Sequence, residues 1–105
     1  MKAYKIVSVR DGKFYSYIQY DRRYKVQYYT DGYATPNFEC MPLFCCPSMD
    51  SVRLILDGTD ITDIKVFECD IIKHKGELHS WVKWAEGNED IVFASKVLLL
   101  KEVFL

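Results

Sequence analysis

The sequence predicts an α+β fold: a mostly antiparallel sheet of about six strands, opened by an N-terminal β-meander, with one main helix over residues 48–57 packed on one face. Three observations carry this. Short segments rich in Val, Ile, Phe and Tyr recur between Gly, Pro and Asp turn signals. All eight tyrosines fall within the first 33 residues, and tyrosine packs well on a half-exposed pleated face. One stretch has a helix start and a helix stop around an apolar stripe of Met49, Val52, Leu54, Ile55 and Leu56.

The elements follow in order. Residues 4–9 (YKIVSV) are strand formers, and the Asp11-Gly12 that follows is a strong hairpin signal. Residues 14–20 return, with Phe14, Ser16, Ile18 and Tyr20 on one face and Tyr15, Tyr17 and Gln19 on the other. Asp21-Arg22-Arg23 reads as a second turn. Residues 24–29 read as a third strand, alternating Tyr24, Val26 and Tyr28 against Lys25, Gln27 and Tyr29. Pro36 and Pro42 mark residues 34–42 as a loop, and residues 43–46 as a short apolar strand. Ser48 is placed to cap the helix, Asp50 sits in its positive first turn, and Gly58 ends it. Residues 64–72 form a strand with Phe67, Cys69 and Ile71 opposed to Val66, Glu68 and Asp70. Residues 73–90 read two ways, as a strand at 78–84 or as a short helix that sets Trp81 and Trp84 on one side. Both tryptophans are read as core or interface packing. Residues 91–104 close the chain as one or two strands, with 97–100 apolar on both faces as in a central strand.

The 105 residues are the length of one domain, 1–105, and half of them are apolar with 28% charged, a globular composition. A net charge of −1 gives no whole-chain drive toward nucleic acid or anionic lipid. No apolar run reaches the ~18 residues that span a membrane. The opening Met1-Lys2-Ala3-Tyr4-Lys5 has no apolar stretch of a signal peptide, so a cytoplasmic place is expected. Cys40, Cys45, Cys46 and Cys69 then read as reduced thiols, small buried strand residues for the last three. No C-x-x-C pair is present and His74 and His79 are five apart, so neither a metal nor another cofactor is expected.

Charge is unevenly spread. Residues 1–33 carry +4 and residues 34–105 carry −5. The basic, Tyr-rich meander is therefore the candidate binding face. Lys5, Arg10, Arg22, Arg23 and Lys25 are positioned to pair with phosphates, and Tyr15, Tyr17, Tyr28 or Tyr29 to stack on a base. The N–H groups at Ser48, where the helix begins, offer a second anion site, opposed by Asp50. Catalytic alternatives are thinner. Cys45 or Cys46 with His74 or His79 and Asp70 is the available nucleophilic set, and Cys46-Pro47-Ser48 stands at a helix start, which lowers thiol pKa. Glu68 and Asp70 are the available carboxylate pair, and no phosphate-cradling glycine motif is present.

Several segments carry a resemblance. The opening Met1-Lys2-Ala3-Tyr4-Lys5-Ile6-Val7 and the hairpin Asp11-Gly12-Lys13-Phe14-Tyr15-Ser16 come first. The strand running into a Ser-capped helix, Leu43-Phe44-Cys45-Cys46-Pro47-Ser48-Met49, follows. Val66-Phe67-Glu68-Cys69-Asp70 and the closing Lys96-Val97-Leu98-Leu99-Leu100-Lys101-Glu102-Val103 complete it. In these the chain resembles a loose group of small bacteriophage proteins. The resemblance implies a phage or prophage origin, a place in the host cytoplasm, and a role against host defence. That role is either sequestering a nucleotide immune signal or binding a defence protein. Some such proteins have strand–helix orders similar to ADP-ribosyltransferase-like folds. Here the opening strand has no catalytic His or Arg followed by a Ser-Thr-Ser strand, and Glu68 stands alone, so no catalytic residue is carried over.

The expectation is a non-enzymatic binding protein that captures a nucleotide-like molecule through Lys5, Arg10, Tyr15, Tyr17, Arg22, Arg23, Tyr28 and Ser48. A homodimer or higher oligomer would deepen its pocket. The main alternative is a protein–protein interaction module that inhibits a host protein. A small Cys-dependent or ADP-ribosyltransferase-like enzyme comes third.

Overall fold

A computed structural model describes residues 1–17 and 22–105, with Arg22 by its backbone alone. Six strands run β1 (Lys2–Arg10), β2 (Lys13–Ser16), β3 (Gln27–Tyr28), β4 (Leu43–Cys45), β5 (Ile64–Lys73) and β6 (Val92–Val103), with one α-helix, α1 (Met49–Leu56), between β4 and β5. They form one antiparallel sheet in the order β3-β2-β1-β5-β6-β4. No helix among the described residues is long and apolar enough to cross a membrane.

The sheet curls until each of its edges reaches an inner strand. On one side Tyr4 and Cys46 exchange both backbone hydrogen bonds at 2.8 Å, tying the end of β4 back to β1. On the other, Ala34 and Val97 exchange bonds of 2.8 and 3.0 Å, and the Leu99 N–H donates to the Tyr29 carbonyl, so the chain after β3 reaches β6. Two irregularities in the β5–β6 register supply the bend: the pairing skips Leu100 and Ser95 on β6. Each bulge strengthens local twist and shifts the inward face by one residue. Ala94 and Val97 therefore both point inward although they stand three positions apart.

Inside the curl lies the main core, where Ala3, Val7, Cys69, Ala94, Val97 and Leu99 are fully buried around Tyr28, Phe67 and Ile71. A second cluster joins Ile6, Cys46 and Val66 to Val52 and Leu56 of the helix. The split follows strand alternation: Ala3 and Val7 go one way and Ile6 the other, as Phe67, Cys69 and Ile71 oppose Val66 on β5. The helix has the expected punctuation. Ser48 Oγ accepts the Ser51 N–H at 3.2 Å, and Gly58 turns the chain out with φ of 72°. Asp11 and Gly12 both take positive φ, 52° and 73°, as a tight hairpin with the right-handed strand twist requires.

Four expectations need correction. The third strand is only Gln27–Tyr28, because Arg22–Tyr24 winds into a 3-10 turn and Tyr24 leaves the sheet to meet the rings of Phe38 and Trp81. Residues 97–100 are not buried on both faces: Val97 and Leu99 are inside, Leu98 is half-buried, and Leu100 is exposed at the bulge. Of the two readings of residues 73–90, the strand at 78–84 does not form, and the helical element is a single 3-10 turn, Lys83–Ala85, anchored by buried Val82 and Ala85. Trp81 and Trp84 do not fill the core but stand 47% and 61% exposed. The end of the expected return strand, with Ile18, Gln19 and Tyr20, and the Asp21 turn position lie outside the described residues.

Leu99 is fully buried, so Leu99→Ala is expected to cost about 2–5 kcal/mol of unfolding free energy. Ser48→Ala, which removes the cap, is expected to cost about 1 kcal/mol. Urea denaturation followed by far-UV circular dichroism reads both.

Candidate functional site

The hairpin of β1 and β2 builds the cleft. Ser8 lies opposite Tyr15 and Arg10 opposite Lys13, so alternation sets Ser8, Arg10, Tyr15 and Tyr17 on the face turned away from Val7 and Phe14. The face widens through Lys25. Ser16 holds Val26 with bonds of 3.0 Å from its own N–H and 3.1 Å to its Oγ, while the Asn37 amide donates to the carbonyls of Arg23 and Lys25 at 2.9 Å. Pinned from both sides, Lys25 lays its ammonium 4.4 Å from the centroid of the Tyr15 ring. The far wall is Asp63, brought in because Ser8 pairs with Ile64 at the start of β5 and the Val9 N–H donates to the Asp63 carbonyl at 2.8 Å. These residues enclose a polar cleft of about 250 Å³.

Of the eight residues singled out from sequence, Arg10, Tyr15 and Tyr17 come together here. Arg23 is exposed and stacks its guanidinium 5.7 Å from the Tyr24 ring, outside the cleft lining. The Arg22 side chain lies outside the described residues. Ser48 is spent on capping, and the helix start already receives a carboxylate: Ser51 Oγ donates to Asp90 at 2.8 Å. Ser8, Ser16 and Asp63 were missed. Ser8 shares the alternation of Arg10 and was legible; Asp63 reaches the cleft only through long-range strand pairing.

Lys5 and Tyr28 are placed in the interior. Lys5 is 5% exposed, and its Nζ donates to the Phe44 carbonyl and sits 4.8 Å from the centroid of the Tyr28 ring. The reason is the closure. The Cys46 N–H and carbonyl face β1, so two residues earlier the Phe44 carbonyl faces the same edge, where the β1–β4 ladder has already opened. The Lys5 ammonium supplies the donor that the missing ladder bond would have given. Burial works against the charge of Lys5, but Tyr28 together with Cys45 and Cys69 outweighs it and holds the amine above its ordinary value. Burial pushes the Tyr28 phenol up, with Lys5 opposing.

The thiols divide by environment. The Cys45 thiol is drawn down by its hydrogen bond with Cys69, against burial and with help from Lys5. Cys69 is driven up by the same bond and by burial. Cys46 is buried, as expected, and the helix start does not activate it: its thiol is pushed up to about 11, chiefly by burial beside Ile6 and Val52. Neither histidine faces these thiols as the nucleophilic set would need: His74 Nε2 lies 3.2 Å from the Glu77 carbonyl, and His79 Nδ1 accepts the Trp81 N–H at 3.1 Å. His74 lines a separate cavity of about 430 Å³ with Cys40, Glu39 and Glu77. Among the described residues no cluster of three His, Cys, Asp or Glu is arranged to hold a metal ion.

A raised thiol pKa in the folded chain means that the folded state retains a proton the unfolded state gives up. The stability Cys46 contributes is therefore complete below its ordinary value of 9.0 and is lost as pH rises toward about 11. Melting temperatures at about pH 8 and about pH 10.5 should fall less steeply in Cys46→Ala than in the parent chain. A neutral thiol reagent is expected to modify partly exposed Cys40 first and to spare Cys45, Cys46 and Cys69 until the chain unfolds. Comparison with protein-family models, curated proteins and solved structures found no match to this chain.

Proposed function

We propose that this chain is a non-enzymatic binding protein that captures a nucleotide-like small molecule in the cleft between the β1–β2 hairpin, Lys25 and Asp63. The observation that carries the reading is convergence. Arg10 and Lys25 bring two cations, and Tyr15 and Tyr17 two aromatic rings, to one cleft of about 250 Å³. Guanidinium and ammonium groups pair with phosphate, and aromatic rings stack on bases. Because Lys25 covers one face of Tyr15, a base stacks on Tyr17 or displaces the lysine. The helix, in this reading, packs on one face of the sheet, the same face that carries the cleft; contacts of Val52 and Leu56 with Ile6 and Val66 support that.

The cleft is small for a ligand site, which ordinarily spans about 300–1,000 Å³. A homodimer in which a second copy completes it fits this volume. The resemblance to small bacteriophage proteins supports a phage origin and a cytoplasmic role in the infected cell, with a nucleotide immune signal as the captured ligand. A second reading, a module that inhibits a host protein, is favoured by one observation. Phe38 and Trp81 flank Tyr24 edge-to-face, and both stand 45–47% exposed. Exposed aromatic anchors of this kind dominate protein interfaces.

Titration calorimetry with nucleoside monophosphates, beside native mass spectrometry for stoichiometry, tests the first reading. Arg10→Glu is expected to weaken binding by roughly 10- to 100-fold, the loss of one charge-assisted hydrogen bond. Trp81→Ala should leave nucleotide binding unchanged; loss of a protein partner with nucleotide binding absent would move the assignment to the second reading.

A further inference from the structure

Asp63 is the one cleft residue whose charge opposes an anion, and its backbone is fixed in place. Its carbonyl accepts the Val9 N–H at 2.8 Å, and the preceding turn is locked by Asp60, whose Oδ1 accepts the Thr62 N–H at 3.0 Å and the Thr62 hydroxyl at 2.5 Å. Those bonds also hold the Asp60 carboxyl below its ordinary value. Asp63 itself is exposed. It lines the same cleft as Arg10 and Lys25, yet among the described residues no ion pair joins it to either. A cleft that keeps two cations and a carboxylate apart on its walls suits a ligand that presents both an anionic group and hydrogen-bond donors.

The donor pattern narrows the base. An ionised carboxylate only accepts, and its two oxygens accept best from two parallel N–H groups. Guanine carries such a pair on one edge, at N1 and the exocyclic amine. Adenine and cytosine offer an amine beside a ring acceptor, and uracil offers one N–H between carbonyls that a carboxylate repels. We propose that the cleft selects a guanine nucleotide: Asp63 accepts both guanine donors, while Arg10 and Lys25 hold the phosphate. This rests on the nucleotide reading of the cleft given above.

The test is titration calorimetry of the full chain and its Asp63→Asn variant with guanosine, inosine, adenosine and xanthosine monophosphates and inorganic phosphate. The unaltered chain is expected to prefer guanosine over adenosine monophosphate by roughly 10- to 100-fold, with inosine between, since it keeps N1–H and lacks the amine. Asp63→Asn should lose the preference for guanosine and gain xanthosine monophosphate, because an amide presents one acceptor and one donor and xanthine replaces the amine by a carbonyl. That gain cannot come from damaged folding. Equal binding of guanosine and adenosine monophosphates, or an unchanged preference in the variant, overturns the guanine assignment and leaves nucleotide capture standing. Failure of every nucleotide to bind the unaltered chain overturns both.

Discussion

The closure of the sheet on itself is the constraint from which the rest follows. Six strands laid flat would leave β3 and β4 as open edges and nowhere to bury Tyr28, Val97 and Leu99 together. Two backbone pairs tie the edges to inner strands instead: Cys46, just past β4, to Tyr4 of β1, and Ala34, beyond β3, to Val97 of β6. The bulges at Ser95 and Leu100 make that curvature achievable over a single twelve-residue strand. The interior so formed buries the small Ala3, Cys69 and Ala94 completely beside the larger Tyr28 and Phe67.

Closure also explains the buried lysine. Where β1 and β4 part beyond Tyr4 and Cys46, a carbonyl of Phe44 is left facing the gap, and the Lys5 ammonium fills it. Unsatisfied buried carbonyls are costly, and so are unpaired buried charges. Here each answers the other, with the Tyr28 ring beside the ammonium. Lys5 is thus a structural peg in the sheet seam, and its chemistry is spent inside the molecule.

The cleft is a by-product of the same architecture. Strand alternation puts Val7 and Phe14 inside, which turns Ser8, Arg10 and Tyr15 outward. Asn37 and Ser16 bring Lys25 over that outward face, and the pairing of β1 with β5 swings Asp63 to its rim. Charges of both signs therefore meet on a surface framed by rigid backbone, the condition under which hydrogen-bond selectivity is strongest.

Much of this was legible from the chain alone, because it depends on neighbours in sequence. The Asp11-Gly12 turn, the Ser48 cap, the Gly58 stop, and the opposed faces of residues 14–17 and 66–71 all express local backbone preferences and the two-residue period of a strand. So did the grouping of Arg10, Tyr15 and Tyr17, which lie on one face of one hairpin. What the tertiary structure decided depends on residues far apart in sequence. Lys5 and Arg10 look alike as basic residues of one strand, but Lys5 lies on the face turned into the closed interior, while the opposite face is covered by the helix at Ile6 and open only toward Arg10, and nothing short of the tertiary fold distinguishes these surroundings. Tyr24 and Trp81, 57 residues apart, meet because β3 begins only at Gln27 and the segment between β5 and β6 folds beside the turn before it. Asp63 enters the cleft by the β1–β5 register, a pairing across more than fifty residues that no local pattern encodes.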